Sequence, residues 1–185
     1  MRWEELFEDL DRQFEELLDA AEDAEQGDRV RVEYGTVSAA QRLAGSLGGV
    51  LRIRLAGGQR VSGRLTRVGV DWMLLRESES TDLLVAWAAV TGVEGLSWQT
   101  GSPLGAVDQR FDLRKAVRSV ARDRAPVSVH TAHGAELTGT VDRVGADFFE
   151  LAAHAAWEIR RRAAVQGVVL VPLASVVMIR SVPLA

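Results

Sequence analysis

Two histidines and a glutamate at three-residue steps, His130, His133 and Glu136, offer the plainest metal-ligand spacing in this chain of 185 residues. A zinc site needs four donors converging on one point. These three fall on a strand and its hairpin turn, where the side chains do not share a face, and no fourth donor stands nearby. His154 is isolated. Cysteine is absent, which removes disulfides, thiolate ligation and a thiol nucleophile together. No serine, histidine and carboxylate have the spacing of a hydrolytic triad. Leu55-Ala56-Gly57-Gly58 lacks the lysine-serine and the following helix of a phosphate loop. The expectation is no catalytic residue, no cofactor and no metal.

Charge is the other chemical resource. Twenty-two basic and 26 acidic side chains leave a net −4, but the signs are segregated. Residues 1–28 hold twelve acidic groups and two arginines, for −10, and the rest of the chain carries +6. Such segregation separates potential binding surfaces. The foremost candidate is Trp157 followed by Arg160, Arg161 and Arg162, in a stretch near 152–164 with helical propensity. A basic-aromatic cluster grips phosphates and stacks on a base, or grips an acidic helix; it also suits a solvated face with Trp157 packed inward. A second basic stretch contains Arg110, Arg114, Lys115, Arg118, Arg122 and Arg124, and steps of four set Arg110, Arg114 and Arg118 along one side.

The elements that position these groups come in duplicate. At an offset of 76 residues, Gly58 meets Gly134, Gly63 meets Gly139, and Arg67-Val68-Gly69-x-Asp71 meets Arg143-Val144-Gly145-x-Asp147. At an offset of 86, Val85 meets Val171 and Val93 meets Ile179, so copy two holds ten extra residues between its third and fourth strands. Each copy alternates with period two around glycine-rich turns, as short antiparallel strands do. The mid-strand glycines Gly63 and Gly139 permit a sharp bend. Asp71 and Asp147 read as turn residues satisfying backbone donors, or as matched functional groups. Arg67 and Arg143 sit beside the bend, as phosphate contacts or as salt-bridged strand edges. Trp72 and Phe148 read as paired core aromatics.

Helices precede the copies. Trp3, Leu6, Phe7, Leu10 and Phe14 recur at three- and four-residue steps opposite a very acidic face, an amphipathic docking helix over 1–28. Residues 28–48 suit a strand at Val30, Val32 and Tyr34 or a helix; Ser38 as a cap and Gly48-Gly49 as a stop favour a helix from Ser38 onward. Asp112 caps a helix over Leu113 to Asp123, which Pro126 ends.

The order of helix, strand, Gly-containing turn, hydrophobic-x-Gly-x-hydrophobic and then Asp resembles the Sm-like superfamily over roughly 38–96 and 112–182. The resemblance implies two tandem five-stranded small barrels, each led by a helix: 29–98, a linker 99–111, and 112–185 with a helical insertion near 152–164. In that superfamily RNA is held by Asp-x-aromatic-Met-Asn and an Arg-Gly pair. Here Asp71-Trp72-Met73-Leu74-Leu75 and Asp147-Phe148-Phe149-Glu150-Leu151 lack the asparagine. Val93-Glu94-Gly95 and Ile179-Arg180-Ser181 keep half of the pair, in one copy. Val85-Ala86-Trp87 and Val171-Pro172-Leu173 replace the bacterial chaperone's Tyr-Lys-His. The expectation is a cytoplasmic, non-catalytic binding or assembly protein acting through protein partners or self-association, with no membrane. The alternative is an RNA- or DNA-binding regulator whose basic body is masked by the acidic helix.

Overall fold

Alternation in the strands translates directly into burial. In β1 (Val50–Leu55) every second residue is buried, and Leu51 and Ile53 are fully so. The hairpin turn at Gly57-Gly58 leads into β2 (Arg60–Val68), followed by β3 (Trp72–Ser78) and β4 (Thr81–Ala86). A 3-10 turn at Trp87–Ala89 precedes β5 (Val90–Glu94). The second repeat runs β6 (Pro126–Thr131), β7 (Glu136–Val144), β8 (Phe148–Ala153) and β9 (Gly167–Pro172), with a 3-10 turn at Leu173–Ser175 before β10 (Val176–Ser181). The computed structural model describes residues 34–105, 109–154 and 167–182. The chain divides into Met1–Ser38 and Ala39–Ala185, and the second unit holds the ten strands found among the described residues.

Two helices lie wholly within the described residues of that unit. Helix α1 (Ala39–Ala44) is six residues long and buries Leu43. Helix α2 (Leu113–Asp123) buries Leu113, Ala116 and Val117 and packs on β7. The Asp112 carboxylate accepts from the Lys115 amide at 2.9 Å, which satisfies a first-turn donor. Arg124 closes the helix in the left-handed region (φ 54°).

The expectation of two five-stranded barrels, each with its leading helix, is overturned. All strands join one open antiparallel sheet in the order β5-β1-β2-β3-β4-β10-β6-β7-β8-β9. The two repeats use the same internal order, and the last strand of the second pairs with the fourth strand of the first. Met178, Ile179 and Arg180 stand opposite Val85, Leu84 and Leu83. Strand edges are strong hydrogen-bonding surfaces, and here the edge of one repeat is satisfied by the other. The expected N-terminal helix, with Trp3, Leu6, Phe7, Leu10 and Phe14, lies outside the described residues. The helix expected near 152–164 does not begin at Ala152, because Ala152 and Ala153 pair with β7 and β9 as the end of β8.

The mid-strand glycines mark a close approach. A Cβ on Gly139 would come within 2.1 Å of the Ala152 carbonyl oxygen, and one on Gly63 within 2.8 Å of that of Arg76. Three residues on, the ladder slips by one residue at the same place in each repeat, between Leu65 and Arg67 and between Val141 and Arg143. Such bulges sharpen the bend of a strand.

Candidate protein-interaction site

Leu83 to Ala86 is an apolar run that is buried on both faces. Leu83 and Val85 belong to the core of the first repeat, together with Val177 and Met178 from β10. Leu84 and Ala86 turn the other way into the core of the second, beside Trp72, Val176 and Ile179. Each core is therefore completed by side chains from the other repeat. The ion pair of Arg180 with Glu77 at 3.1 Å and the bond from the Asp82 amide to Ser181 Oγ at 2.8 Å close the margin.

A polar clamp secures the same junction. The Asp71 carboxylate accepts from the Leu113 amide at 2.7 Å, so it serves the helix of the following repeat. Burial, with the charge of Asp112 adding to it, pushes the Asp71 pKa up, while the Leu113 hydrogen bond partly offsets the rise. Trp72 Nε1 donates to the Phe111 carbonyl at 2.7 Å, and the two rings lie 5.6 Å apart. The indole presses on Gly69, where a Cβ would be 2.1 Å from Nε1. The Arg67 guanidinium lies 5.0 Å from the Phe111 ring centre and 5.9 Å from that of Trp72. In sequence, Arg67, Asp71 and Trp72 were legible as a matched set, but Phe111 and Leu113 as their targets were not.

At the two ends of the sheet the counterparts of these strands pair on one side only with strands among the described residues, β5 with β1 and β9 with β8. Strand β9 matches β4 in sequence, yet Leu170 is 58% exposed where Leu84 is 5% exposed, and Val168 is 61% exposed. Strand β5 matches β10, and beside it runs a groove of about 310 Å³ lined by Ala39, Leu43, Trp87, Val90, Val93 and Leu96. Its partly buried apolar side chains pack on the first core while their outer faces remain open.

The other candidates are dispersed. Arg114 borders a cavity of about 430 Å³ together with Asp71, Asp112 and Asp147, and its Nε is buried without a hydrogen-bond partner. Lys115 Nζ donates to the Arg110 carbonyl, and Arg118 is exposed. Arg143 is exposed with Nε 3.8 Å from Glu150, and Asp147 is exposed as well. Trp157, Arg160, Arg161 and Arg162 lie outside the described residues. Sequence reasoning missed a basic patch on the outer face of β1 and β2, where Arg54 stands opposite Arg60 and Arg52 and Arg64 flank them. Their even-numbered spacing, two residues between Arg52 and Arg54 and four between Arg60 and Arg64, across a hairpin was the available signal.

Ser128, His130 and Glu136 come together without forming a relay. Ser128 Oγ donates to Glu136 at 2.6 Å and lies 3.2 Å from His130 Nε2, and that same nitrogen is 3.7 Å from Glu136. A relay sets serine and carboxylate on opposite ring nitrogens. Here Ser128 is buried and the cluster ties β6 to β7. Burial pushes the His130 pKa down; Glu136 opposes the shift and Arg180 adds to it. Among the described residues no three His, Asp or Glu side chains gather to hold a metal ion, and no helix is long and apolar enough to cross a membrane.

No protein-family model matches the sequence. Comparison with curated proteins returns no match either.

Proposed function

We propose that this chain is a non-catalytic binding and assembly protein that works through protein–protein contacts at the two ends of its sheet. The observation that carries the reading is the contrast between matched strands: β4 and β10 are buried against each other, whereas among the described residues no strand pairs with the corresponding edges of β9 and β5, where Leu170 is exposed and an apolar groove lies. Open sheet edges flanked by exposed apolar side chains are interaction templates. The paired Gly and Asp motifs support kinship with the Sm-like superfamily as the origin of the repeats. Hydrogen–deuterium exchange tests the functional reading. The outward amides of β5 and β9 exchange freely in the dilute, isolated chain and become protected at high concentration or in an extract of the cells that make it. Edges that stay unprotected under both conditions overturn the proposal.

A second reading, nucleic-acid binding, is favoured by the patch of Arg52, Arg54, Arg60 and Arg64. Like charges directly opposite each other are unfavourable in a sheet, and a polyanion relieves that repulsion. Arg54 is held by Glu94, which tempers the patch. Fluorescence anisotropy with single-stranded RNA and duplex DNA at two salt concentrations tests it, using the full chain and residues 29–185. Salt-sensitive binding that Arg60→Gln and Arg64→Gln together weaken supports the reading, and absence of binding at low salt removes it.

A further inference from the structure

We infer that the cavity between the start of β2 and the β6–β7 hairpin binds a small zwitterion with the chemistry of a free amino acid, its carboxylate on Arg60 and Arg180 and its ammonium on Glu136. The cavity measures about 290 Å³ and is lined by Gln59, Arg60, His130, Glu136, Met178 and Arg180. That is the small end of the range for ligand pockets. The strands around it are interior ones in the sheet, so contacts at the sheet ends neither require this site nor exclude it.

Strand register builds the polar wall. Met178, His130 and Glu136 stand opposite one another across β10, β6 and β7, and Arg180 and Ser128 form the next row. Directly opposed residues share a face of the sheet, as do residues two apart on one strand, so all five side chains lie on one side. The first repeat supplies the facing wall through Gln59 and Arg60, which lead into β2. The site therefore exists only where the two repeats meet.

The charges around this cavity do not neutralise one another. In the first repeat Arg54 and Glu94 close an ion pair, whereas the matched positions of the second hold two bases, His130 and Arg180. Arg180 turns Nη2 to Glu77 at 3.1 Å, which leaves its Nε buried without a hydrogen-bond partner. A buried N–H with no acceptor is unfavourable, and a ligand carboxylate satisfies it. Among the described residues no carboxylate pairs with Arg60. Glu136 accepts the Ser128 hydroxyl on Oε1 at 2.6 Å, and its Oε2 is available to a further donor. Two guanidinium groups and one carboxylate around a single cavity match a molecule that carries both charges. A simple anion meets repulsion from Glu136, and a simple cation meets it from Arg60.

The test is isothermal titration calorimetry of the full chain with the standard free amino acids, each supplied singly at millimolar concentration. The one that binds most tightly is then compared with its N-acetyl form and its carboxamide. Each analogue lacks one charge and should bind about tenfold or more weaker, the order of one charge-assisted hydrogen bond. Arg60→Gln should weaken the free amino acid and the N-acetyl form by a similar factor and spare the carboxamide. Glu136→Gln should weaken the free amino acid and the carboxamide and spare the N-acetyl form. Both variants alter exposed side chains and keep the fold by circular dichroism. The chain holds three methionines, and the Met178 methyl resonance should move as the ligand binds. Equal losses for all three ligands in both variants, or a Met178 methyl that stays in place, overturn the proposed site. No binding by any amino acid overturns it too, and binding of inorganic phosphate instead makes the cavity a plain anion site and overturns the zwitterion.

Discussion

Replacing Trp72 by phenylalanine isolates the link between the repeats, since phenylalanine stands at the matched position, Phe148, in the second. The ring is 4% exposed and its Nε1 donates to the part-buried Phe111 carbonyl at 2.7 Å. A phenyl ring keeps most of the apolar contact but leaves that carbonyl without its donor, a loss of roughly 1–3 kcal/mol. The smaller ring also opens space against Gly69, so about 2 kcal/mol in all is expected. For a protein of this size each kcal/mol lowers Tm by about 2–4 °C, giving a fall of about 4–8 °C. The assay is urea and thermal unfolding followed by circular dichroism, with Phe148→Leu as the comparison. Phe148 is only half-buried, and that variant should lose less than about 1.5 kcal/mol. Both variants should unfold in one transition, because each core contains side chains from the other repeat. A loss below about 0.5 kcal/mol for Trp72→Phe would refute the indole bond as a structural link, and two separated transitions would refute the shared cores.

Asp71→Ala removes the acceptor of the Leu113 amide and should destabilise the chain by about 0.5–2 kcal/mol, whereas Asp71→Asn should retain most of the stability at pH 7. Asparagine keeps an acceptor and lacks the charge whose burial raises the Asp71 pKa; equal losses in the two variants, measured by urea unfolding, would contradict this. His130 predicts a pH dependence. Its folded pKa lies below the ordinary value of 6.5, so the unfolded chain binds the proton first, and the stability it contributes is present above 6.5 and lost as pH falls through the folded pKa. His130→Gln should flatten the slope of unfolding free energy against pH just below 6.5, and an unchanged slope would assign that dependence to other groups.

Much of the local structure was legible in the residues. Asp112 marked the start of α2 because a carboxylate there satisfies a helix donor, and period-two alternation located β1 because a strand sends successive side chains to opposite faces. The duplication established that each half would repeat the same devices, and the matched Gly63 and Gly139 do sit at the same close approach. These are local statements, decided by neighbours along the chain. The expectation of two five-stranded barrels failed at a non-local one, since alternation says which residues form a strand and nothing about which edge it joins.

The strands that carry the candidate site show the division most clearly. Leu83-Leu84-Val85-Ala86 and Val169-Leu170-Val171-Pro172 are similar apolar runs, and such a run signals a strand with both faces available for burial. In the folded chain the first is buried on both faces while Leu170 is left more than half exposed. The sequence determined that both strands have two apolar faces. Only the tertiary structure decided that β10 covers the first and leaves the second open, because one β10 can pair on that side with one strand alone.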